Sequence, residues 1–448
     1  MITERLAEFA VGFPTSGIPE AAMGGAERAL ADLAGCAVAG SAEPVARIAR
    51  EVAPGGAQGG AAVWGSPDRA SIEDAAFINA VQSHALDFDD SSSNMRAHPS
   101  CSMLPAALAA GEAARAAGRE VLAAYAVGLE VARRLTPALG PGHYLSGWHT
   151  TSTIGIFGAA AAAGRLLGLD ARRQRHAFGL AGSLVGGLSR NFGSMGKPFH
   201  AGHAARAGVH VARLAAAGMT ADADIFDGPQ NVIAVYGGAA DGALVDLQSL
   251  GSSWELASPG LLVKQWPCCY ATHRAIAGVR TLQAEHGFAA ADVERIRIGF
   301  PPGTEGPLRY KAPRTGLQGK FSVEYVLAAL LLDGKVALGS FTDEMVMRPA
   351  AQALMARVER YPVAADGILS SLKGFTDVEV RAGGKTCSMR VDRTPGSSEW
   401  PLSDADRQAK FMDCCDGVLT AGQAQALARG LASFRALPDV RGALNVPA

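Results

Sequence analysis

Length, composition and charge favour a large helical protein without a nucleic-acid or membrane partner. The chain has 448 residues, of which 48% are hydrophobic but only 6% aromatic, so its apolar content is mostly alanine, leucine and valine. Alanine is the strongest helix former, and small side chains let helices pack closely. The net charge of −1 gives no electrostatic reason to expect binding to nucleic acid or to an anionic membrane.

Targeting and redox signals favour a cytoplasmic protein. Residues 1–6 lack the basic and then apolar layout of a secretory signal. The apolar run over 154–164 contains glycines and is shorter than the ~20 residues that cross a membrane. The seven cysteines include two adjacent pairs with poor geometry for internal disulfides, Cys268-Cys269 and Cys414-Cys415. We therefore expect reduced thiols in the cytoplasm.

The first part of the chain predicts helices in close succession, with one extended segment over 62–65. Ser71 and Asp74 resemble a capping box at a helix start. Gly118 is expected to end one helix before the next begins, and 140–147 is expected to be a glycine-rich loop. The predicted helices cover 3–11, 19–37, 44–52, 71–86, 99–118, 120–135, a small-residue stretch that ends at Leu167, a segment capped by Asp170, and 198–217.

The composition changes after Pro259, where strand patterns appear between helices. Residues 293–298 alternate with period two, and 378–381 and 386–391 flank a Gly-Gly pair that is typical of a hairpin. A strand over 261–264 and helices over 272–286, 322–332 and 349–360 complete this part. The chain is helical again from Pro401. The predicted fold class is mainly α, with a large multi-helix domain over 1–256, completed by helices in 398–448, and a smaller α+β domain over 257–397.

The stretch Gly193–Arg206 carries the first lysine of the chain, Lys197. A lysine in a chain that otherwise uses arginine suggests a need for a compact ammonium group or for a group that can lose its proton. Pro198 can open a helix, which would place His200, His203 and Arg206 on one face. The positive end of that helix would attract an anion, so the stretch predicts a carboxylate-binding corner that transfers protons.

Three further segments carry groups with acid–base potential. Asp87-Phe88-Asp89-Asp90 ends an apolar helix, where neighbouring carboxylates raise one another's pKa and one could act as a base. A solvated helix end and a magnesium site are the alternatives there, although no second aspartate-rich segment accompanies it. His98-Pro99-Ser100 and His149-Thr150-Thr151-Ser152 each place a histidine and hydroxyl groups at a helix start, where a helix cap is the simpler explanation.

A fourth group lies beyond residue 260. Lys264 precedes Cys268-Cys269-Tyr270, and His273 follows. A nucleophilic cysteine would want a paired histidine, for which His273 is a weak candidate. His200 and His203 lack a nearby third ligand, so we expect no metal. No glycine fingerprint for a dinucleotide or phosphate appears, and we expect no cofactor.

At these residues the chain resembles the MmgE/PrpD family, which includes 2-methylcitrate dehydratases, cis-aconitate decarboxylases and iminodisuccinate epimerase. The order and spacing of the matching segments agree over essentially the whole chain. The matching stretches are His84-Ala-Leu-Asp-Phe-Asp-Asp, His98-Pro-Ser, Gly147-Trp-His-Thr-Thr, Gly193-Ser-Met-Gly-Lys-Pro-Phe-His-Ala-Gly-His-Ala-Ala-Arg and Lys264-Gln-Trp-Pro-Cys-Cys.

The resemblance implies a helical domain, a smaller α+β lid domain, an active site between them, a homodimer and no organic cofactor. Five positions match pocket residues of the decarboxylase branch: Asp87, Ser91, His98, His149 and Lys197. Ser91 stands where that branch has threonine, and Cys269 replaces an expected pocket histidine. A pocket tyrosine expected near Glu305 is absent, although Tyr310 could substitute. These departures argue against decarboxylation of cis-aconitate.

The function that follows is a cofactor-independent lyase of the dehydratase type, acting on a hydroxy di- or tricarboxylic acid. It would remove a proton from the carbon next to a carboxylate. Epimerisation of a dicarboxylate such as iminodisuccinate is the close alternative, followed by decarboxylation and by carboxylate binding without catalysis. The expected catalytic residues are Asp87, His98, His149 and Lys197, and the expected substrate-binding residues are Ser91, Thr150, His200, Lys264 and Cys269.

Overall fold

The computed structural model describes residues 1–53, 60–237, 244–367 and 369–446. The described residues are mainly helical, with a small sheet. The helices are α1 (Ile2–Gly12), α2 (Glu20–Ser41), α3 (Pro44–Val52), α4 (Ile72–His84), α5 (Ser100–Ala114), α6 (Gly118–Leu145), α7 (Thr150–Thr153), α8 (Gly155–Leu166), α9 (Ala171–Gly182), α10 (Gly196–Ala216), α11 (Val232–Gly237), α12 (His273–His286), α13 (Gly316–Gly319), α14 (Val323–Asp333), α15 (Asp343–Met347), α16 (Pro349–Met355), α17 (Asp404–Cys415) and α18 (Ala421–Ala432). The strands are β1 (Ala61–Ala62), β2 (Arg69–Ala70), β3 (Val293–Phe300), β4 (Val358–Pro362), β5 (Thr376–Ala382) and β6 (Lys385–Val391).

Helix α10 lies between α4 and α8 in the larger apolar core. Small residues allow this close approach: a Cβ on Gly202 would lie 2.7 Å from Val81 of α4, and one on Gly208 would lie 2.4 Å from Ala159 of α8. Close packing of backbones leaves little room for rotation or sliding. It therefore fixes Lys197, in the first turn of α10, relative to the loop that follows α4.

The C-terminal helices return to this core, as the sequence pattern predicts. Phe411 and Leu427 pack in the same apolar cluster as the N-terminal helices. Lys410 of α17 forms a buried ion pair with Asp32 of α2 at 2.7 Å and donates to the Phe88 carbonyl at 2.9 Å. Helix α17 of the C-terminal segment therefore contacts and supports the acidic segment over residues 87–90.

A second apolar core surrounds the four-stranded sheet, whose order is β4-β3-β5-β6. Strands β3 and β4 are parallel, and the other pairs are antiparallel. Gly383 and Gly384 form the turn of the β5–β6 hairpin, both with positive φ, which glycine adopts without strain. Helix α12 packs on β5 and β6. The division at 256/257 and 397/398 stays a prediction.

Several predicted boundaries were wrong. Residues 261–264 form a single bridge, between Leu262 and Ser91, and no strand. Arg115 ends α5 in the left-handed conformation, and Gly118 instead opens α6. Helix α6 continues to Leu145 across a break at Gly140, so most of 140–147 is helical. The helix predicted over 349–360 divides into α16 and β4, because edge pairing with β3 outweighs helix propensity.

In the described part of the chain, no helix is long and apolar enough to cross a membrane.

Close packing at Gly208 predicts a specific cost for one added methyl group. The Cβ of Gly208→Ala would lie 2.8 Å from backbone atoms of α8, which cannot move without shifting that helix. We expect the free energy of unfolding to fall by about 1–3 kcal/mol, measured by urea titration. Gly430→Ala in α18 is the control, because nothing lies within 4 Å of its added Cβ. It should stabilise by about 0.5–1 kcal/mol, and equal effects would contradict the packing argument.

Candidate active site

Asp87 lies at the centre of the site, in the loop after α4, and two lysines hold its carboxylate. Its Oδ1 accepts hydrogen bonds from the ammonium groups of Lys197 at 2.5 Å and Lys264 at 2.8 Å. Lys264 also donates to the Asp87 carbonyl at 2.6 Å. All three side chains are buried. One carboxylate faces two ammonium groups, so the trio carries one net positive charge.

The lysines decide the ionisation of Asp87. Burial opposes the charged form, but Lys197 and Lys264 outweigh burial and hold the pKa of Asp87 well below its usual range. Burial likewise opposes the charged form of Lys264, but the charges of Asp87 and Asp89 together outweigh burial and raise the pKa of that lysine. Asp87 therefore remains a carboxylate at neutral pH. Its Oδ2 is buried and has no hydrogen-bond partner among the described residues.

His98 approaches the same carboxylate from another side. Its Nε2 lies 3.6 Å from Asp87 Oδ1, and its Nδ1 lies 2.9 Å from the backbone carbonyl of Asp90. A carbonyl only accepts, so Nδ1 carries the ring proton and Nε2 keeps its lone pair. The backbone N–H of His98 donates to Thr151 Oγ1 at 3.0 Å, which ties this loop to α7.

A buried His84–Asp89 pair supports this arrangement and was assigned no role from the sequence. His84 Nδ1 lies 2.9 Å from both Asp89 oxygens, and its Nε2 is buried without a partner in the described structure. The ring meets His98 edge-on, with centroids 4.7 Å apart, and stacks on His149 at 6.0 Å. The pair fixes the positions of both neighbouring imidazoles.

His149 and His200 form a second buried pair, between the segment before α7 and the start of α10. Their Nδ1 atoms are 3.0 Å apart, so one ring donates and the other accepts. Phe192 and His149 pack in a T-shaped arrangement, with ring centroids 4.8 Å apart. Thr150, also buried, begins α7 next to His149.

Burial keeps the four histidines neutral. It lowers the pKa of His84 and His200 to about 4, and it lowers the pKa values of His98 and His149 too. The positive charge of Lys197 adds to this effect in every case. At neutral pH these imidazoles can therefore accept a proton but have none to spare.

A narrow cavity of about 40 Å³, room for a few water molecules, lies at this site between the two apolar cores. Five of the nine predicted site residues line it. Its walls are formed by Asp87, Arg96, Ala97, His98, Tyr144, His149, Phe192, Lys197, Cys269, Tyr270, Pro307, Phe321, Ser371 and Leu372.

The other four predicted residues lie behind the cavity wall. Lys264 donates a hydrogen bond to Asp87, and His200 contacts His149. Lys264 would therefore act on a ligand through Asp87, and His200 through His149. Ser91 Oγ lies 3.3 Å from His98 Nδ1. Thr150 is buried and adjoins His149 in the chain.

Sequence reasoning missed Arg96 and Tyr144, which both line the cavity. Glu305 and Tyr310, which the resemblance places near the pocket, do not line the cavity. The Tyr310 hydroxyl donates to the Phe192 carbonyl at 3.0 Å, and Glu305 lies 3.9 Å from Arg360. No sequence signal marks Tyr144. Arg96, two residues before the His98-Pro-Ser motif, could have been noted as the nearest arginine to that motif.

The expected common face of His200, His203 and Arg206 does not form a single site. His203 Nε2 lies 2.8 Å from the Leu184 carbonyl, and Arg206 pairs with Asp74. A nucleophilic cysteine is also disfavoured, because burial raises the pKa of Cys269 to about 11. A neutral thiol is a poor nucleophile.

His84, Asp87, Asp89 and His98 have potential metal-ligand atoms within 4.8 Å of one another. However, Lys197 and Lys264 already occupy the Asp87 carboxylate and would repel a divalent cation. The donor set therefore fits an internal charge network better than a metal centre.

Comparison with known proteins identifies the family. Residues 4–244 match the MmgE/PrpD N-terminal domain, and residues 266–433 match the MmgE/PrpD C-terminal domain. The chain belongs to the MmgE/PrpD family. This confirms the resemblance carried by the sequence motifs, and the mainly α fold with a small sheet agrees with the two family domains.

The chain is similar to proteins named as cis-aconitate decarboxylases or as like them. The cis-aconitate decarboxylase of Homo sapiens is 29% identical over 98% of this chain and 92% of its own length. That of Mus musculus is 32% identical over 78% of this chain and 73% of its length. The cis-aconitate decarboxylase-like protein oryM of Aspergillus oryzae is 25% identical over 98% of this chain and 95% of its own length. These relatives support an enzyme of the dehydratase or decarboxylase type.

The buried carboxyl group of Asp90, beside the site, should make the free energy of unfolding depend on pH. Its Oδ2 accepts from Ser100 at 2.5 Å, its Oδ1 has no partner among the described residues, and burial raises its pKa to about 8. In the unfolded chain an aspartate titrates near ~4. Between these values unfolding releases a proton, so the contribution of Asp90 to stability is lost as the pH rises toward 8.

Asp90→Asn removes this titration. The unfolding free energy of the variant, minus that of the wild type, should grow by about 1.4 kcal/mol per pH unit between pH 5 and 7. Urea titrations at several pH values measure it. Asp413→Asn, at an exposed position of α17, should run parallel to the wild type. A parallel profile for Asp90→Asn would show that Asp90 is ionised in the folded protein.

Proposed function

We propose that this chain is a cofactor-independent lyase of the dehydratase type, acting on a hydroxy di- or tricarboxylic acid. The observation that carries the proposal is the placement of two lysine ammonium groups on one aspartate beside neutral histidines. Such a site offers positive charge for a substrate carboxylate together with groups that can accept a proton.

The charge arrangement supports carboxylate binding. The two ammonium groups exceed the single negative charge of Asp87, and Lys197 faces the cavity. Removal of a proton next to a carboxylate builds negative charge on that carboxylate. A fixed ammonium group in a water-poor site stabilises this charge more strongly than water does. Lys197 is the residue we assign to this role.

His98 is our candidate for the general base. Its Nδ1 proton is committed to the Asp90 carbonyl, which leaves the Nε2 lone pair on the side of Asp87 and the cavity. In the proposed step Nε2 takes the proton from the substrate carbon and a carbon–carbon double bond forms. The hydroxyl group leaves with a proton from Lys197, as water. His149, which also lines the cavity, is the alternative base.

The proposed function also requires the cavity to open for substrate. A cavity of about 40 Å³ is too small for a tricarboxylic acid, so the smaller α+β domain would act as a lid that opens for substrate. Cys269, Phe321 and Ser371 are the parts of the wall that such a motion would carry. A homodimer in the cytoplasm, with no metal, remains the expected form of the enzyme.

Decarboxylation of an unsaturated tricarboxylate is the second candidate, because the named relatives are cis-aconitate decarboxylases. In that reaction the substrate loses carbon dioxide and a carbon gains a proton. The neutral histidines supply no proton at neutral pH, and Cys269 is a neutral thiol. Lys197 is then the main acid available for this reaction, as it is for dehydration. Dehydration is preferred because Ser91 and Cys269 depart from the pocket residues expected of the decarboxylase branch. Epimerisation needs only the proton-transfer half of the same machinery.

Proton NMR of a substrate panel in D2O separates these reactions. The panel contains 2-methylcitrate, citrate, cis-aconitate and iminodisuccinate. Alkene formation from a hydroxy acid supports the dehydratase. Loss of carbon dioxide from cis-aconitate would instead support the decarboxylase. Deuterium exchange without elimination would instead support the epimerase. No change in any substrate would refute the proposed function for this substrate class.

Lys197→Ala should abolish turnover while the fold persists. We expect kcat/KM to fall by at least ~10³, because the variant loses both a charge that stabilises the transition state and the proposed acid. Initial rates on the panel substrate, together with circular dichroism, measure the two properties. Lys385→Ala, at an exposed position of the β5–β6 hairpin, is the matched control. Full activity of the Lys197 variant would end the proposed mechanism.

A further inference from the structure

Arg96 is a charged residue of the cavity wall to which the proposed mechanism gives no role. It lies in the loop between α4 and α5 and is half-buried. In the described ranges of the chain its guanidinium makes no hydrogen bond or ion pair with a protein group, whereas Lys197 and Lys264 both hold Asp87. An unpaired guanidinium beside an enclosed site is a strong binding group for a carboxylate, which it can contact through two parallel N–H groups.

The backbone at Arg96 gives an independent reason to assign it a function. Non-glycine residues seldom adopt positive φ, and residues that do often lie at ligand sites. Four described non-glycine residues have positive φ: Asp87 (51°), Arg96 (50°), Arg115 (53°) and Gln230 (57°). Two of them are in one loop, and both line the cavity. The strained backbone thus delivers both side chains to the same space.

The acidic groups around the cavity are paired with groups other than Arg96. Lys197 and Lys264 pair with Asp87, Asp89 contacts His84 and His98, and the surrounding histidines are neutral. Asp90 is largely protonated at neutral pH, since burial raises its pKa to about 8. Burial also raises the pKa of the neighbouring Tyr144, whose hydroxyl therefore remains a neutral donor. Arg96 therefore adds positive charge to the cavity wall with no carboxylate paired to it among the described residues.

We propose that Arg96 binds a substrate carboxylate that is not attached to the reacting carbon, and so selects di- and tricarboxylic acids over monocarboxylic acids. Tyr144, in the same wall, is placed to donate a second hydrogen bond to that group. Asp87, Lys197 and His98 would act on the other end of the molecule. This inference rests on the proposed function only in taking the ligand to be a carboxylic acid.

Calorimetric titration with tricarballylate tests the inference without turnover, because this saturated tricarboxylate has no hydroxyl group to lose and no double bond. We expect Arg96→Gln to weaken binding ~10–100-fold, the usual effect of losing a charge-assisted contact. Arg96→Lys, which keeps the charge, should recover most of the affinity. Arg115→Gln is the matched control, since Arg115 is an exposed arginine with the same backbone conformation outside the cavity.

Three results would overturn the role of Arg96: no binding of tricarballylate by the wild type, affinity of Arg96→Gln within twofold of the wild type, or an equal loss in Arg115→Gln. With the panel acid that the enzyme converts, Arg96→Gln should raise KM ~10–100-fold and leave kcat within about threefold. A wild type that binds tricarballylate through Arg96 but converts no panel acid would refute the proposed function alone. If Arg96→Gln converts the panel acid with the KM of the wild type, the role of Arg96 is refuted and the proposed function stands.

Discussion

The buried contact of Asp87 with Lys197 and Lys264 is the constraint on which the site depends. Each partner comes from a different segment: the loop after α4, the first turn of α10 and the segment before α12. Burying three charges costs desolvation energy that the attraction repays only if all three meet in good geometry. Correct packing of α10 between α4 and α8 is therefore a condition for a stable charge network as well as for the core.

The same contact sets the proton affinities around it. Lys197 adds its charge to the burial that lowers the pKa values of His84, His98, His149 and His200. A substrate carboxylate bound near Lys197 would offset that charge and raise these pKa values toward their usual range. Binding of substrate would thus make the histidines stronger bases at the moment when a base is needed. The free enzyme holds them neutral and ready to accept a proton.

The parts of the structure that sequence predicted well depend on local interactions. Helix α3 has its predicted bounds, and the Ser71 and Asp170 caps form because each side chain meets an N–H three residues away. Asp87, His98, His149 and Lys197, which the motifs single out, line one cavity, and their catalytic roles stay a prediction. The His84–Asp89 pair, Arg96 and Tyr144 escaped prediction, because their positions follow from a left-handed backbone turn and from tertiary packing that no short pattern encodes.

Cys269 limits which side chains of the cavity wall can transfer a proton. The family resemblance expects a histidine there, and the structure places a buried thiol whose pKa is raised to about 11. A neutral thiol neither donates nor accepts a proton readily at neutral pH. Under the proposed function, proton transfer would then fall to His98, His149 and Lys197, which belong to the helical part of the chain. Cys269, Phe321 and Leu372 supply mainly shape, whereas the proposed carboxylate contact of Arg96 and the proposed proton transfer both belong to the helical part of the chain.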